Sequence, residues 1–380
     1  MKILVLNSGS SSQKSALYDL GGSLPETAPE PCWKASIDFG KDSKSFASAL
    51  VQEVRSFASD ASVENLLRGW GIAVADTLPE EVEDALRQVA AKTAPRPPSV
   101  LILSAEPYVP WELTVLEHPL DSQLPPFLGV QTVLGRWLRD RPSAPPAAGA
   151  AAQARKPPLQ PPGSIRVRNM AVMKGVYKLE SGLRPLPEAE AEADSLVREH
   201  GALDLPATTQ GLKQLLDARL RRDNREIGGA GAVHFAGHGD FNAASPDASV
   251  MLLSDGRPLP SSMFRSASYG GQEQPLLFLN ACMSGIGDEI FGAMGGFPGN
   301  CLRGGFGGVL GALWEVDDAV AREVALDFWR RALPPDGSDP EPVGAILRDL
   351  RARYAPDDPV PTYLAYVYYG HPSLTLERVP

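Results

Sequence analysis

The sequence predicts an α/β fold, an α/β/α sandwich with an N-terminal α/β subdomain. Two short apolar runs, at residues 232–236 and 276–279, are each bounded by small residues, a pattern typical of buried strands in a parallel sheet. Further strands and helices are predicted to alternate along the chain, which favours helices packed on both faces of that sheet. The 380 residues are enough for two domains, or for one large core with an appended subdomain.

Composition narrows the class of protein. The net charge of −10 argues against a nucleic-acid surface spread over the whole molecule, although a local basic patch remains possible. Three cysteines, at positions 32, 282 and 301, form no paired framework and indicate a reducing compartment. The apolar run at residues 1–6 is too short for a signal-peptide core or a membrane span, so we expect a cytoplasmic protein.

The first part of the chain has separate signals for strands and helices. Residues 3–6 and 100–103 are apolar and predict buried strands, and helical spacing of apolar residues predicts helices at 44–58 and 79–91. Trp111 and Glu112 follow the second strand, and a structural role is expected for both. The Pro- and Ala-rich stretch at 141–163 predicts a solvated linker. The predicted boundary therefore separates an N-terminal subdomain, 1–163, from a second domain, 164–380.

In the second domain, predicted helices and strands alternate along the chain. Helices are predicted at residues 187–200, 208–220, 317–333 and 343–354, with Asp317 or Asp318 as the cap of the third. Strands are predicted at 250–253, where a small hairpin begins, at 309–313 and at 363–369. The glycine-rich stretch at 291–311 fits either close backbone packing or a mobile loop.

One reactive side chain follows each of the two opening apolar runs. His238 lies between glycines after the first run, and Cys282 follows the second. In open α/β sheets, ligands bind just beyond the carboxyl ends of such strands. A Cys needs a neighbouring base to become a nucleophilic thiolate, and a His can supply that base. An inert core thiol is the alternative for Cys282, but the paired His strand and the flanking glycines disfavour it.

These residues carry a family resemblance. The Ala281–Cys282 pair, with a Gly three positions after the Cys, is similar to the Gln-Ala-Cys-x-Gly signature of caspases, whose His lies about 50 residues upstream. The wider pattern resembles the CHAT family of caspase-like cysteine peptidases, in the clan of separases, legumains and gingipains. Six pieces in order carry the resemblance, and they lie at residues 109–113, 186–192, 234–239, 279–285, 311–318 and 368–374.

The resemblance implies a caspase-like α/β/α sandwich and assigns roles to single residues. Cys282 would be the nucleophile and His238 its base, because in this clan the catalytic His lies between the glycines. The backbone N–H groups of Gly239 and Cys282 would form the oxyanion hole. His234 is expected to be a core residue, although it could orient the site. Cys32, Cys301 and His371 are expected to be structural.

Substrate recognition is less clearly encoded. A pocket for Arg or Lys would need a buried carboxylate, and several acids lie near the predicted strand ends: Asp240, Asp288, Glu289, Glu315, Asp317 and Asp318. Capping or solvation explains most of them equally well. Asp317, Asp318 and Trp314 are preferred as substrate-binding residues, because in caspase-like folds the strand that leads to Trp314 borders the substrate.

The predicted function is a cysteine endopeptidase that cleaves a specific protein, with no metal or other cofactor. The resemblance implies a regulated bacterial protease of antiviral defence or cell death, switched on by a protein partner and cleaving an effector such as a gasdermin-like pore former. Neither direct nucleic-acid binding nor membrane binding is expected. One alternative is a caspase-like scaffold with an idle dyad that binds protein partners.

The second alternative is a phosphotransferase. The turn at residues 7–12, rich in Ser and Gly after a first strand, resembles the opening phosphate-binding turn of acetate kinases. The resemblance covers about a dozen residues, and no later motif of those kinases follows. A strand followed by a polar turn is therefore the preferred interpretation.

Overall fold

The computed structural model describes residues 2–8, 12–19, 33–38, 43–57, 62–104, 108–138, 160–178, 183–240, 250–267, 273–282, 297–355 and 361–379. The strands are β1 (Lys2–Ser8), β2 (Ser12–Asp19), β3 (Trp33–Asp38), β4 (Ser99–Ser104), β5 (Val133–Leu138), β6 (Ser164–Val167), β7 (Met170–Lys174), β8 (Leu203–Pro206), β9 (Leu220–Arg222), β10 (Arg225–Gly228), β11 (Ala232–Asp240), β12 (Val250–Leu252), β13 (Pro258–Pro260), β14 (Leu276–Cys282), β15 (Gly308–Ala312), β16 (Tyr366–Tyr369) and β17 (Thr375–Arg378).

The α-helices are α1 (Ser43–Phe57), α2 (Val63–Ala75), α3 (Glu80–Thr93), α4 (Leu128–Gln131), α5 (Pro187–His200), α6 (Thr209–Leu216), α7 (Phe297–Arg303), α8 (Asp318–Ala332), α9 (Val343–Arg351) and α10 (Thr362–Ala365). Short 3₁₀ helices lie at Trp111–Leu113 and Ser261–Ser266. Across the described ranges, none of the helices combines the length and the apolar character that a membrane span needs.

One mixed sheet organises the described part of the chain. It has 13 strands, in the order β13-β12-β11-β14-β15-β16-β5-β4-β1-β2-β3, with β7 beside β11 and β8 beside β7. Strands β8, β7, β11, β14 and β15 are parallel. Strand β16 is antiparallel to β15, and β5, β4 and β1 run parallel to β16. The carboxyl ends of β8, β7, β11, β14 and β15 therefore lie at the same end of the sheet as the amino ends of β16, β5, β4 and β1.

Helices cover both faces of the sheet. Helices α5, α8 and α9 share a hydrophobic core with Phe278 and Tyr366 on one face. Helices α6 and α7 and the 3₁₀ helix at Ser261–Ser266 share a second core with Phe235 on the other face. Phe235 and Phe278 lie in neighbouring strands on opposite faces, as the two-residue period of a strand requires. The predicted α/β/α sandwich is thereby confirmed.

Residues at the ends of α5 and α8 explain where these two helices begin and end. Helix α5 has Pro187 as its first residue and ends at Gly201, whose φ of 63° is the left-handed conformation that favours glycine. Helix α8 is capped by Asp317, whose carboxylate accepts the N–H groups of Ala319 and Val320 at 3.0 Å each. Both helices match their predictions, and the predicted hairpin after β11 is formed by β12 and β13.

Other elements differ from the predictions. Helix α6 ends at Leu216 and α9 at Arg351, earlier than predicted, and the first residues of the strand predicted at 363–369 form α10. Part of the stretch at 291–311 forms α7 and β15, whereas 283–296 lies outside the described residues. Most of the predicted linker, residues 139–159, also lies outside them. Strand β5 pairs with β16, so one sheet spans the predicted boundary at 163, and the boundary stays a prediction.

A buried ionic cluster joins the 3₁₀ helix at Trp111–Leu113 to β5 and α9. Glu112 is 2% exposed and pairs with the guanidinium of Arg136, whose Nε donates to Glu112 Oε1 over 2.9 Å. Arg351 donates to the carbonyls of Tyr366 and Gly129, and burial lowers its pKa to about 9, with a smaller contribution from Arg136. The expected structural roles of Trp111 and Glu112 fit this burial.

The packing of α5 on α8 predicts an acid-sensitive contact. The Nδ1–H of buried His200 donates to the Leu333 carbonyl over 3.1 Å, and burial lowers the pKa of His200 to about 4. The unfolded chain, with a His pKa of about 6.5, takes up the proton first, so this stability is complete above pH 6.5 and is lost as the pH falls towards 4.

His200→Asn keeps a donor for Leu333 and removes the titration. We expect wild type to lose about 2 kcal/mol more unfolding free energy than this variant between pH 7.5 and pH 5. Urea unfolding at both pH values measures the difference. Parallel pH dependence in the two proteins would contradict the assignment.

Candidate active site

The two predicted reactive positions meet in adjacent parallel strands. Strands β11 and β14 pair from Ala232 opposite Leu276 to His238 opposite Cys282. Both strands are central, and their apolar side chains are buried on the two faces of the sheet. The register therefore brings His238 and the backbone of Cys282 together at the carboxyl ends of their strands, the edge where α/β sheets place ligands.

Hydrogen bonds define the orientation of the His238 ring. Its Nε2 lies 2.6 Å from the carbonyl oxygen of Arg184, in the segment that precedes α5. A carbonyl only accepts, so Nε2 carries the hydrogen and donates it, and in the neutral ring Nδ1 is the acceptor nitrogen. The ring is fully buried. His238 is thus held in one tautomer by a backbone group, as a positioned base requires.

Tyr177 supports His238 from the other side. Its hydroxyl accepts the backbone N–H of His238 over 2.8 Å and donates to the Leu252 carbonyl over 2.9 Å. Its ring lies 4.4 Å from the imidazole between centroids, tilted by 42°. Strand β7 ends at Lys174, and β12 pairs with β11 from Gly239 onward. Tyr177 therefore joins three chain segments beside the imidazole.

Two glycines make room for the Tyr177 hydroxyl. A Cβ at Gly175 would lie 2.3 Å from the hydroxyl oxygen, and one at Gly237 would lie 2.5 Å from it. Both distances are far shorter than carbon and oxygen tolerate without a bond. The glycine directly before His238 is thus explained by packing against Tyr177.

His234 has the core role that the sequence analysis preferred. It is fully buried, four residues before His238 on the same face of β11. Its Nε2 lies 2.5 Å from Glu192 Oε1, and the indole N–H of Trp329 donates to its Nδ1 over 3.1 Å. Both ring nitrogens are hydrogen-bonded within the protein interior.

The predicted substrate-binding residues lie near the β15–α8 connection and have different environments. Asp317 caps α8, the alternative that had been weighed for it. Asp318 is 29% exposed, and its Oδ2 lies 3.4 Å from the Arg184 guanidinium. Trp314 is 2% exposed, in the core, and its indole N–H has no hydrogen-bond acceptor among the described residues. Arg184 therefore links Asp318 to the segment that holds His238.

The other candidate residues are Cys301, His371 and the acids near the strand ends. Burial raises the pKa of the Cys301 thiol well above its usual range, which is consistent with an inert structural Cys. His371 accepts the Ser373 N–H, and burial lowers its pKa. Only the backbone of Asp240 and of Cys282 is described, Glu315 is exposed, and Cys32, Asp288 and Glu289 lie outside the described residues.

Sequence reasoning missed three groups that contact or support His238. The Arg184 carbonyl leaves no sequence signal, because every residue except the chain terminus carries such a group. Tyr177 and Glu192 are distant in sequence from the residues that they contact. Gly237 was the one available hint, since a glycine inside a strand often marks a close approach of another group.

In a comparison with protein families, the model of the CHAT domain matches residues 85–360. The chain belongs to the CHAT domain family. The CHAT match begins before the predicted boundary at 163, so β4 and β5 fall within the family's extent.

Two solved structures are similar to this chain. The chain is similar to separase of Saccharomyces cerevisiae, solved in complex with securin, with a TM-score of 0.50 and 9% identity over 99% of this chain and 30% of that chain. The Arg-specific cysteine proteinase gingipain R matches with a TM-score of 0.45 and 12% identity, over 79% of this chain and 69% of that chain. At these identities the likeness to separase concerns the fold alone.

Curated relatives match a short segment. Acetate kinases from Synechocystis and Gloeothece citriformis are 68% and 65% identical to this CHAT chain over 40 residues. The match covers 10% of this chain and 10% of each kinase, so the chain spans about a tenth of the length of the curated relatives it matches. It is longer than the dozen residues that the turn at 7–12 had indicated.

The contact between Gly237 and Tyr177 can be tested by substitution. We expect Gly237→Ala to lower the free energy of unfolding by about 1–3 kcal/mol, because the new methyl group overlaps the Tyr177 hydroxyl. Tyr177→Phe removes that oxygen, so the double variant should recover a large part of the loss, as a double-mutant cycle in urea would measure. Gly163→Ala is the matched control, since no atom lies within 4 Å of its Cβ position. Additive effects of the two substitutions would contradict the contact.

Proposed function

We propose that this CHAT protein is a cysteine endopeptidase in which Cys282 is the nucleophile and His238 is the general base. The observation that carries the proposal is the register of two parallel strands, which sets His238 opposite Cys282 at one edge of the sheet. The Arg184 carbonyl supplies the orienting third group that such a pair needs.

The chemistry follows from the tautomer of His238. With Nε2–H donated to Arg184, Nδ1 takes the proton of the Cys282 thiol, and the thiolate attacks the peptide carbonyl carbon. The tetrahedral intermediate expels the amine, which receives the proton from Nδ1 and leaves a thioester. Water, deprotonated by the same nitrogen, then hydrolyses the thioester and frees the thiol.

The backbone N–H groups of Gly239 and Cys282 are the oxyanion-hole donors that the family resemblance implies. Along a strand, successive N–H groups point to opposite sides. The N–H of His238 faces Tyr177, so the N–H of Gly239 faces β14, the strand that carries Cys282. Because β11 and β14 stay paired as far as His238 and Cys282, these two N–H groups lie at the end of the ladder and would have to turn from it towards the substrate oxygen. Together they would stabilise the negative oxygen of the intermediate.

Asp318 is the acid that we propose for substrate recognition. The Asp317 carboxylate is engaged by two N–H groups of α8, whereas Asp318 is partly exposed and pairs with the exposed side chain of Arg184. A basic side chain of a substrate would replace the Arg184 guanidinium at this carboxylate. Trp314, which is buried and whose indole N–H has no acceptor among the described residues, would form the border of the same region.

The wider setting rests on the family resemblance. A regulated bacterial protease in defence or cell death, with an activating partner and a protein substrate, stays a prediction, as does a cytoplasmic location. The idle scaffold remains the main alternative. A phosphotransferase function has less support, because the kinase-like match covers only a tenth of the chain.

The protease proposal is tested by incubating the protein with a proteome-derived peptide library and reading new termini by mass spectrometry. We expect cleavage by wild type, and a loss of at least about 1,000-fold for Cys282→Ala and for His238→Ala, because the two groups act as a unit. Cys301→Ala is the matched control and should stay active. Cleavage that survives Cys282→Ala would contradict the proposal, whereas specific capture of protein partners by a non-cleaving wild type would favour the scaffold.

The specificity proposal has a built-in control, since two adjacent aspartates differ in their contacts. We expect Asp318→Asn to lower kcat/KM for peptides with Arg or Lys before the cleaved bond by about tenfold or more, because a charge-assisted hydrogen bond is lost. Asp317→Asn should leave the cleavage pattern unchanged, since Asn caps a helix as well as Asp does. An unchanged pattern in both variants would exclude this role for Asp318.

A further inference from the structure

A chain of buried polar side chains lies directly behind the dyad. It contains His234 of β11, Asn280 of β14, Glu192 of α5, Trp329 of α8 and Tyr366 of β16, each no more than 3% exposed. Asn280 lies two residues before Cys282, about 6.6 Å along the strand, and His234 lies four residues before His238. The residues share the face of the sheet that α5 and α8 cover.

Glu192 is the centre of this chain. Its Oε1 lies 2.5 Å from His234 Nε2, and its Oε2 accepts Asn280 Nδ2 over 2.8 Å. The same carboxylate therefore bridges the strand of His238 and the strand of Cys282. The amide of Asn280 also donates to the Ala321 carbonyl over 3.2 Å and accepts the Tyr366 hydroxyl over 2.9 Å.

The donors and acceptors leave one consistent assignment of hydrogens. Trp329 can only donate, so His234 Nδ1 is bare and Nε2–H donates to Glu192. Asn280 presents its NH₂ to the other carboxylate oxygen, because the same NH₂ faces the Ala321 carbonyl, which can only accept. Both oxygens of Glu192 thus face donors, and a protonated carboxyl group would have no acceptor. Glu192 is a carboxylate, and the side chains bonded to it are neutral.

A buried carboxylate without a counter-charge costs several kcal/mol and is tolerated only when its hydrogen bonds are complete. An apolar pair at the same place would stabilise the fold as well or better. Such a costly group is expected where function requires it. Here it lies between the two strands whose ends must stay aligned for His238 to reach the proton of Cys282.

We propose that Glu192 is a positioning residue for the dyad. Its carboxylate, held between His234 and Asn280, fixes the relative position of β11 and β14 behind His238 and Cys282. The inference rests on the proposed protease function for its consequence in catalysis, but the bridge itself is a property of the described structure. Misalignment of 1 Å at a reacting pair lowers the rate by about 100-fold, so the bridge acts on kcat more than on KM.

The first test exchanges the partners of the bridge. In Glu192→Gln, the new NH₂ faces either the His234 N–H or the Asn280 NH₂, so one pair of donors collides. In Asn280→Asp, two carboxylates face each other. The double variant restores donor to acceptor across the bridge and keeps the total charge, but it sets a carboxylate oxygen where the Asn280 amide donated to the Ala321 carbonyl.

We expect each single variant to lower kcat by about 10- to 100-fold with KM changed less than about threefold, and the double variant to recover to within about fivefold of wild type. Leu196→Ala, one turn further along α5 and fully buried, is the matched control. It destabilises the same helix without removing a hydrogen-bonding group of the bridge, and it should keep the kcat of wild type while lowering the melting temperature.

The second test does not depend on activity. In protein with ¹⁵N-labelled histidines, of which there are five, the ring signals of His234 and His238 should both report the Nε2–H tautomer. Glu192→Gln should shift the His238 signals although the Glu192 carboxylate is bonded to His234 and Asn280, and the double variant should restore them. Leu196→Ala should leave them in place.

The two tests separate the possible failures. If wild type cleaves no peptide, the protease proposal loses its kinetic support, and the His238 signals alone decide whether Glu192 positions the ring. Folded Glu192→Gln protein with wild-type kcat and unshifted His238 signals would overturn the inference. A double variant no better than the singles would overturn it as well, because the exchange of partners would then not matter.

Discussion

The in-register parallel pairing of β11 and β14 is the constraint on which the rest of the molecule depends. Side chains alternate between two covered faces, so Phe235 packs against one helix layer and Phe278 against the other. A slip of β14 by one residue would send Phe278 and Asn280 to the wrong layer, and a slip of β11 would do the same to Phe235 and His234. The pairing that aligns His238 with Cys282 is therefore enforced along its whole length by burial, and it does not rely on the two reactive residues themselves.

Two buried charges are handled in opposite ways in this fold. Glu112 is matched by arginines, Arg136 in contact and Arg351 nearby, so that the cluster carries excess positive charge. Glu192 is surrounded by neutral donors alone. The first arrangement joins β5, α9 and the 3₁₀ helix, and β5 is separated from β14 by two strands of the sheet, whereas the second spans β11 and β14. Rigid, fully satisfied polar groups of this kind specify one geometry more sharply than apolar packing does.

The sequence was most informative where burial and local chemistry act together. Strands β11 and β14 and helices α5 and α8 could be predicted from apolar runs, the proline at the start of α5 and the aspartates at the start of α8. Strand β5 was missed because Arg136 interrupts its apolar run, and the compensating Glu112 is distant in sequence. The pairing of His238 with Cys282 was inferred from resemblance and strand position. The Arg184 carbonyl and the Tyr177 hydroxyl could not be, since their roles exist only through tertiary contacts.

The reversal of strand direction between β15 and β16 has a consequence for how this protein meets other molecules. The carboxyl ends of β11 and β14 lie at the same end of the sheet as the amino ends of β1, β4 and β5. The carboxyl ends of β1, β4 and β5 lie at the opposite end. Because a strand of seven residues is about 23 Å long, a molecule bound beyond β1 cannot compete sterically with a peptide at His238. Any influence between the two would have to be transmitted along the strands. Two molecules could therefore bind to this sheet at the same time, one at each end of its strands.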